Sequence, residues 1–249
     1  MKSRRNLLAW GAVLAMTVAA NANAASELQP VALTTTVRVE VGTDGLVTDA
    51  VADGKLPPVL LQAVARDARA LRFQIPKDGA FSSGVTFVQM RVCLAPVGQD
   101  LSVATQYLSN GPRRQMETTP RYPIDAARRG KGGDFKVVMQ VAADGAATVE
   151  SISNLDGGEM PAAFAGSIRE WVASLRYEPE LVSGQPVATR VEMPLEFRML
   201  GKQTSLAAEL DRQKQEAAMS SVCQRAMGDR APAPVPVALD SPFVLVPGA

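Results

Sequence analysis

Val37-Arg38-Val39-Glu40-Val41-Gly42-Thr43-Asp44-Gly45 returns, altered, as Val137-Val138-Met139-Gln140-Val141-Ala142-Ala143-Asp144-Gly145. Both stretches alternate apolar and polar positions up to an Asp-Gly pair, the pattern of a half-buried strand entering a hairpin. The echo continues downstream. An apolar helix pattern and Leu71-Arg72-Phe73 follow the first copy, then Ser83-Gly84-Val85 and a last strand. The second copy has its own helix pattern, Leu175-Arg176-Tyr177, Ser183-Gly184-Gln185-Pro186-Val187 and a last strand. From Asp44 to Asp144 is 100 residues and from Leu71 to Leu175 is 104, the small slip expected of one loop in a duplicated module. A repeated module is read as two domains, about 31–95 and 113–200.

The second copy carries the fuller signal. Phe135, Val137, Met139 and Val141 share one strand face. Met160, Phe164, Ile168, Val172 and Leu175, with Trp171, recur at helical spacing. Val191, Met193, Leu195 and Phe197 alternate with Arg190, Glu192, Glu196 and Arg198 in the last strand. Pro194 lies inside that strand and has no N–H, which confines it to an edge with residue 194 toward the free side. The expected strand order is second, first, third. In the first copy, Leu61, Val64, Ala68 and Leu71 mark the helix, and Val88, Met90, Val92 and Leu94 the last strand. The expected fold is α+β: two small antiparallel three-stranded sheets, each with helices on one face. A helix-forming segment, 202–228, follows. A proline-rich extended tail, 231–249, ends in Phe243-Val244-Leu245-Val246, which reads either as a frayed end or as a strand pairing with an edge of the same molecule.

The start of the chain addresses export. Lys2, Arg4 and Arg5 precede an uncharged apolar run, Leu7–Ala20, and the small-residue site Ala22-Asn23-Ala24. This is the pattern of a cleavable signal peptide, 1–24, leading to the periplasm; left uncleaved, it would be an inner-membrane anchor. Ser3-Arg4-Arg5-Asn6-Leu7-Leu8 also resembles part of a twin-arginine signal. Without those three cations, 23 basic side chains face 25 acidic ones, which does not suit nucleic acid. After export, Cys93 and Cys223 are expected to form a disulfide.

Nothing points to an enzyme. With no histidine there is no Ser-His or Cys-His pair and no histidine-bearing zinc motif. Arg129-Gly130-Lys131-Gly132-Gly133 lacks the spacing of a phosphate loop, and Glu178 and Glu180 read as solvated loop charges. No catalytic residue, metal or cofactor is expected.

The second module resembles the TonB C-terminal domain family. The resemblance rests on Pro120-Arg121-Tyr122-Pro123, Ala126-Ala127-Arg128-Arg129, Gly133, Asp144-Gly145, Leu175-Arg176-Tyr177-Glu178-Pro179, Gly184-Gln185-Pro186-Val187, and Pro194 with Phe197. The first module looks like a degenerate copy. The resemblance implies a periplasmic domain that receives the N-terminal segment of an outer-membrane receptor, or of another envelope protein, as a strand added beside its last strand. The partner-binding residues would be Tyr122 and Pro123 in the segment that leads into the module, and Arg190, Glu192, Pro194, Glu196 and Arg198 along the edge. Full transducers of the family carry an anchor, usually with a histidine, and a proline-rich spacer ahead of the domain. This chain has no histidine, and its proline-rich piece follows the domain. The resemblance therefore implies the binding end of such a system. The alternative is a scaffold or homodimer whose edges are paired internally.

Overall fold

Both Asp-Gly pairs turn hairpins, and the two turns match in detail. Gly45 and Gly145 have φ of 78° and 82°, where a side chain is strained. Asp44 Oδ1 accepts the Leu46 N–H at 3.0 Å, and Asp144 Oδ1 the Ala146 N–H at 2.9 Å. A Cβ on Gly45 would lie 2.0 Å from the Phe73 carbonyl oxygen, and one on Gly145 2.1 Å from that of Tyr177. The Phe73 and Tyr177 amides donate back to the Gly45 and Gly145 carbonyls at 2.8 and 2.9 Å. Each turn thus seats the aromatic of its own Leu-Arg-aromatic triplet.

The computed structural model describes residues 31–54, 56–75, 81–97, 100–116, 118–198 and 236–247. The signal segment 1–24, the helix-forming segment 202–228 and Cys223 lie outside the described residues. In the first half the elements are β1 (Val31–Val41), β2 (Val47–Ala52), α1 (Pro58–Arg69), β3 (Phe73–Gln74), β4 (Gly84–Val97), β5 (Asp100–Gly111) and β6 (Arg113–Arg114). The second half has α2 (Ile124–Arg128), β7 (Gly133–Val141), β8 (Ala147–Asn154), α3 (Ala162–Ser174), β9 (Tyr177–Glu178), β10 (Glu180–Val182), β11 (Gln185–Val187) and β12 (Thr189–Phe197). The tail adds β13 (Val237–Ala238) and β14 (Val244–Leu245). No helix among the described residues is long and apolar enough to cross a membrane.

Helical and strand periodicity place the cores. In the second module Phe164, Ile168, Trp171, Val172 and Leu175 meet Phe135, Val137, Met139, Val141, Val191, Met193 and Phe197. Each such fully buried side chain stabilises the fold by roughly 1.5–3 kcal/mol before entropy is subtracted. In the first module Leu60, rather than Leu61, is buried with Val64 and Ala68, because residues four apart stack on one helix face.

The sheets are larger than the three strands expected of each. The first sheet has six strands, ordered β11-β10-β4-β1-β2, with β5 also on β4. Asp100–Gly111 folds back along Phe87–Val97, so the first module's last strand has no open side there. The β10–β11 hairpin, from the second half of the chain, covers the start of β4 through Leu181↔Val85 and Val182↔Gly84. Ser183-Gly184 is the tip of that hairpin, with φ of 49° and 77°, and is not the counterpart of Ser83-Gly84. The two Ser-Gly pairs touch instead: the Ser183 N–H donates to the Ser83 carbonyl at 2.7 Å. The second sheet has four strands, β13-β12-β7-β8, which contains the expected second-first-third order and adds the tail strand at its edge.

The two halves interlock by exchanging short strands. β6 pairs with β9, Arg113↔Glu178 and Arg114↔Tyr177. At the matching place in the first module, β14 pairs with β3, Val244↔Gln74 and Leu245↔Phe73. Phe243 is 1% exposed and sits in the first core, its ring edge-on to Phe73 at 6.5 Å and Phe81 at 6.2 Å. The frayed reading of the tail is therefore overturned. A large apolar side chain with a waiting cavity outweighs the entropy of ordering a few residues.

Candidate docking edge

β12 pairs with β7 along its whole length, from Thr189↔Val141 to Phe197↔Gly133. On its other side β13 pairs with it only at Val191↔Ala238 and Glu192↔Val237. The Arg190 carbonyl accepts the Leu239 N–H at 2.8 Å, and the Arg190 N–H donates to Asp240 Oδ1 at 2.6 Å. Arg190 thus turns both its backbone groups toward the tail. Strand alternation then puts the backbone groups of Glu192, Pro194, Glu196 and Arg198 on that same side. Pro194 fits there because the missing N–H is the one that would point outward. Among the described residues, no strand pairs with that side beyond Glu192. The edge expected to be open over Arg190–Arg198 is consequently closed over Arg190–Glu192, and among the described residues no strand pairs with it from Met193 onward.

The charged side chains of the edge are engaged within their own sheet. Arg190 Nε and Nη2 donate to Glu150 Oε2 and Oε1 at 2.7 and 2.5 Å. That hydrogen-bonded pairing, with its charge, holds the Glu150 carboxyl below its ordinary range and raises the Arg190 guanidinium. Lys136 lies 3.5 Å from Glu192, and Arg198 is paired with Glu196 and with Asp134, the latter at 3.5 Å. Surface pairs of this kind contribute little stability. They draw the side chains of Arg190, Glu192 and Arg198 toward β7 and β8.

Tyr122 is half-buried. Its ring is edge-on to Phe164 at 6.0 Å and Phe197 at 5.5 Å, and its hydroxyl donates to the Lys131 carbonyl at 2.6 Å. It pins the Tyr122-Pro123 lead-in beside the far end of the edge. Pro123 is the N-cap of α2. The structure brings Tyr122 to Phe197 and leaves Arg190 at the opposite, tail-covered end.

One buried cluster has no local mark in the sequence. Glu180 is 0% exposed, which corrects its reading as a solvated loop charge. Oε1 accepts from Thr86 Oγ1 at 2.6 Å and Ser241 Oγ at 2.8 Å, and Oε2 from Thr189 Oγ1 at 3.1 Å. Asn110 Nδ2 donates to Ser241 Oγ and to the Phe243 carbonyl, both at 3.0 Å. Five separate segments converge there. Burial pushes the Glu180 carboxyl up, against the opposing pull of those hydrogen bonds. Tyr107, whose hydroxyl donates to Asn110 Oδ1 at 2.5 Å, is pushed up to about 12 by burial and the nearby Glu180 charge. Glu178, the other supposed loop charge, ion-pairs with Arg113, which also holds Asp53 at 2.9 Å and lies 5.1 Å over the Phe87 ring. Cys93 is 1% exposed, and among the described residues no cysteine is free.

Residues 118–199 match the family model described as Gram-negative bacterial TonB protein C-terminal. The second module is a TonB C-terminal domain. The match leaves the first module outside it, and no curated relative matches the chain. The TonB C-terminal family is one of envelope-associated energy transducers and protein-interaction modules rather than enzymes. In this TonB C-terminal domain, the outer side of the last strand β12 is paired, among the described residues, only at Val191 and Glu192, and α3 packs on one face of the sheet.

Proposed function

We propose that the protein is a periplasmic TonB-like binding protein, exported by cleavage after Ala24, that receives an extended segment of an envelope protein as an added strand on β12. An outer-membrane TonB-dependent receptor's N-terminal segment is the leading partner. The observation that carries this reading is the outward ladder of β12 from Met193 to Arg198, unpaired among the described residues while its inner ladder is complete. Among the described residues, no strand occupies the side toward which the Pro194 carbonyl, both backbone groups of Glu196 and the Arg198 N–H point, and these would pair with a visiting chain. Each hydrogen bond contributes about 1 kcal/mol, and side chains of alternate residues supply selectivity. The first module, as a degenerate copy, braces this domain through β6, β9, β10 and the tail. A Cys93–Cys223 bridge belongs to the same reading; thiol labelling of the denatured, unreduced protein then finds no free cysteine.

The test is a fluorescence titration with a receptor N-terminal peptide. Glu196→Pro deletes one outward N–H and no inner-ladder bond, and is expected to weaken binding about fivefold. Binding that ignores this substitution rules out strand addition at β12.

A second reading is favoured by one observation: β5 and β13 already pair with both last strands. On that reading the protein is a scaffold, or a homodimer, and no receptor peptide binds.

A further inference from the structure

The contact between β13 and β12 is shallow, while the chain just beyond it is deeply held. Val237 and Leu239 are each 45% exposed, whereas Phe243 is 1% exposed. Residues 236–240 can therefore leave β12 while Phe243 and β14 stay in the first module. At the start of the described tail, the Ser109 hydroxyl donates to the Pro236 carbonyl at 2.7 Å. The segment also has the form of a ligand. It runs antiparallel to β12, as an added strand would. Ala238, opposite Val191, packs against Gly111, where a Cβ would come within 2.8 Å of the Ala238 Cβ, so a larger residue at either place is resisted. Asp240 then places a carboxylate on the Arg190 amide, beside the Arg190 cation. A charge-assisted bond of this kind is stronger than a neutral one.

We propose that β13 is a displaceable stand-in for the partner strand. Once it leaves, the docking edge spans Arg190–Arg198. The strand it admits carries a small side chain opposite Val191 and a carboxylate that reaches the Arg190 amide. The visiting strand runs antiparallel to β12, its N-terminal end at Arg198. This deepens the strand-addition reading and rests on it.

The test uses the full chain and a fluorescent peptide whose last five residues copy Val237–Ser241. A Thr-Val repeat precedes them to lie along Met193–Arg198. Leu239→Pro removes the N–H that the Arg190 carbonyl accepts, and Asp240→Ala removes the carboxylate; neither touches Phe243. Each is expected to tighten peptide binding about fivefold, the worth of one such bond. Changing the peptide's Asp to Ala is expected to cost a similar factor, and Glu196→Pro to weaken binding in every background. Should Leu239→Pro prevent folding, Asp240→Ala decides alone. Unchanged affinity in both tail variants, with Glu196→Pro still weakening binding, overturns the stand-in and leaves strand addition intact. Equal binding of the Asp and Ala peptides overturns the carboxylate preference. No binding by any variant overturns both readings.

Discussion

Replacing Glu180 should expose how the two halves and the tail are tied together. Its carboxylate accepts from Thr86, Thr189 and Ser241, which belong to β4, β12 and the tail, and it is fully buried. Glu180→Ala leaves three hydroxyls to find other partners. An unsatisfied buried donor costs about 1–3 kcal/mol, and relief from burying the carboxyl offsets part of that. The expected net loss is about 3 kcal/mol. With a urea slope of about 2 kcal/mol per molar, the midpoint falls by about 1.5 M. Glu180→Gln keeps the shape and removes the charge. Because burial raises the folded-state pKa above the unfolded value, the group's contribution is complete below the ordinary carboxylate range. It is lost as pH rises through the raised pKa. The stability of the wild type minus that of Glu180→Gln should therefore fall from about pH 4 upward and level off above the raised value. Urea titrations of both proteins between about pH 4 and 8 measure this difference, in which other titrating groups largely cancel. A flat or rising difference would refute the claim that burial dominates at Glu180. An Ala variant within about 0.5 kcal/mol of wild type would refute the structural role of the cluster.

Phe243→Ala should cost about 3–5 kcal/mol in urea unfolding, since the ring is fully packed against Phe73 and Phe81; a loss below about 1 kcal/mol would return the tail to a loose end. Gly45→Ala and Gly145→Ala should each cost about 2 kcal/mol or more, from the left-handed backbone and the facing carbonyl. Similar shifts in thermal unfolding would support the equivalence of the two turns, and a neutral Gly45→Ala would break it.

Strand alternation, helical spacing, the Asp-Gly turns and the in-strand proline were all legible along the chain, because each is a local rule with a fixed period. From these follow both β-β-α-β patterns, the cores led by Val137 and Val37, and Pro194 on an outward edge. Tyr122, Pro123 and the edge residues could likewise be named from their order. What they do could not. Tyr122 is half-buried against Phe197, Arg190 is covered by Asp240, and the remaining edge charges are paired across their own sheet. Glu180 looked like a loop charge because its partners come from positions 86, 189 and 241, which no window of sequence joins.

By itself, the sequence determined the three main strands and the helix of each module and which face of each is apolar, since those depend on neighbours a few residues away; it did not mark β5, β10, β11 or β13 as strands. Only the tertiary structure decided which edges are covered. Backbone N–H and C=O groups are alike at every residue but proline, so the choice of the tail for Arg190–Glu192 and of the β10–β11 hairpin for the start of β4 depends on where segments distant in sequence, such as the one anchored by Phe243, are buried.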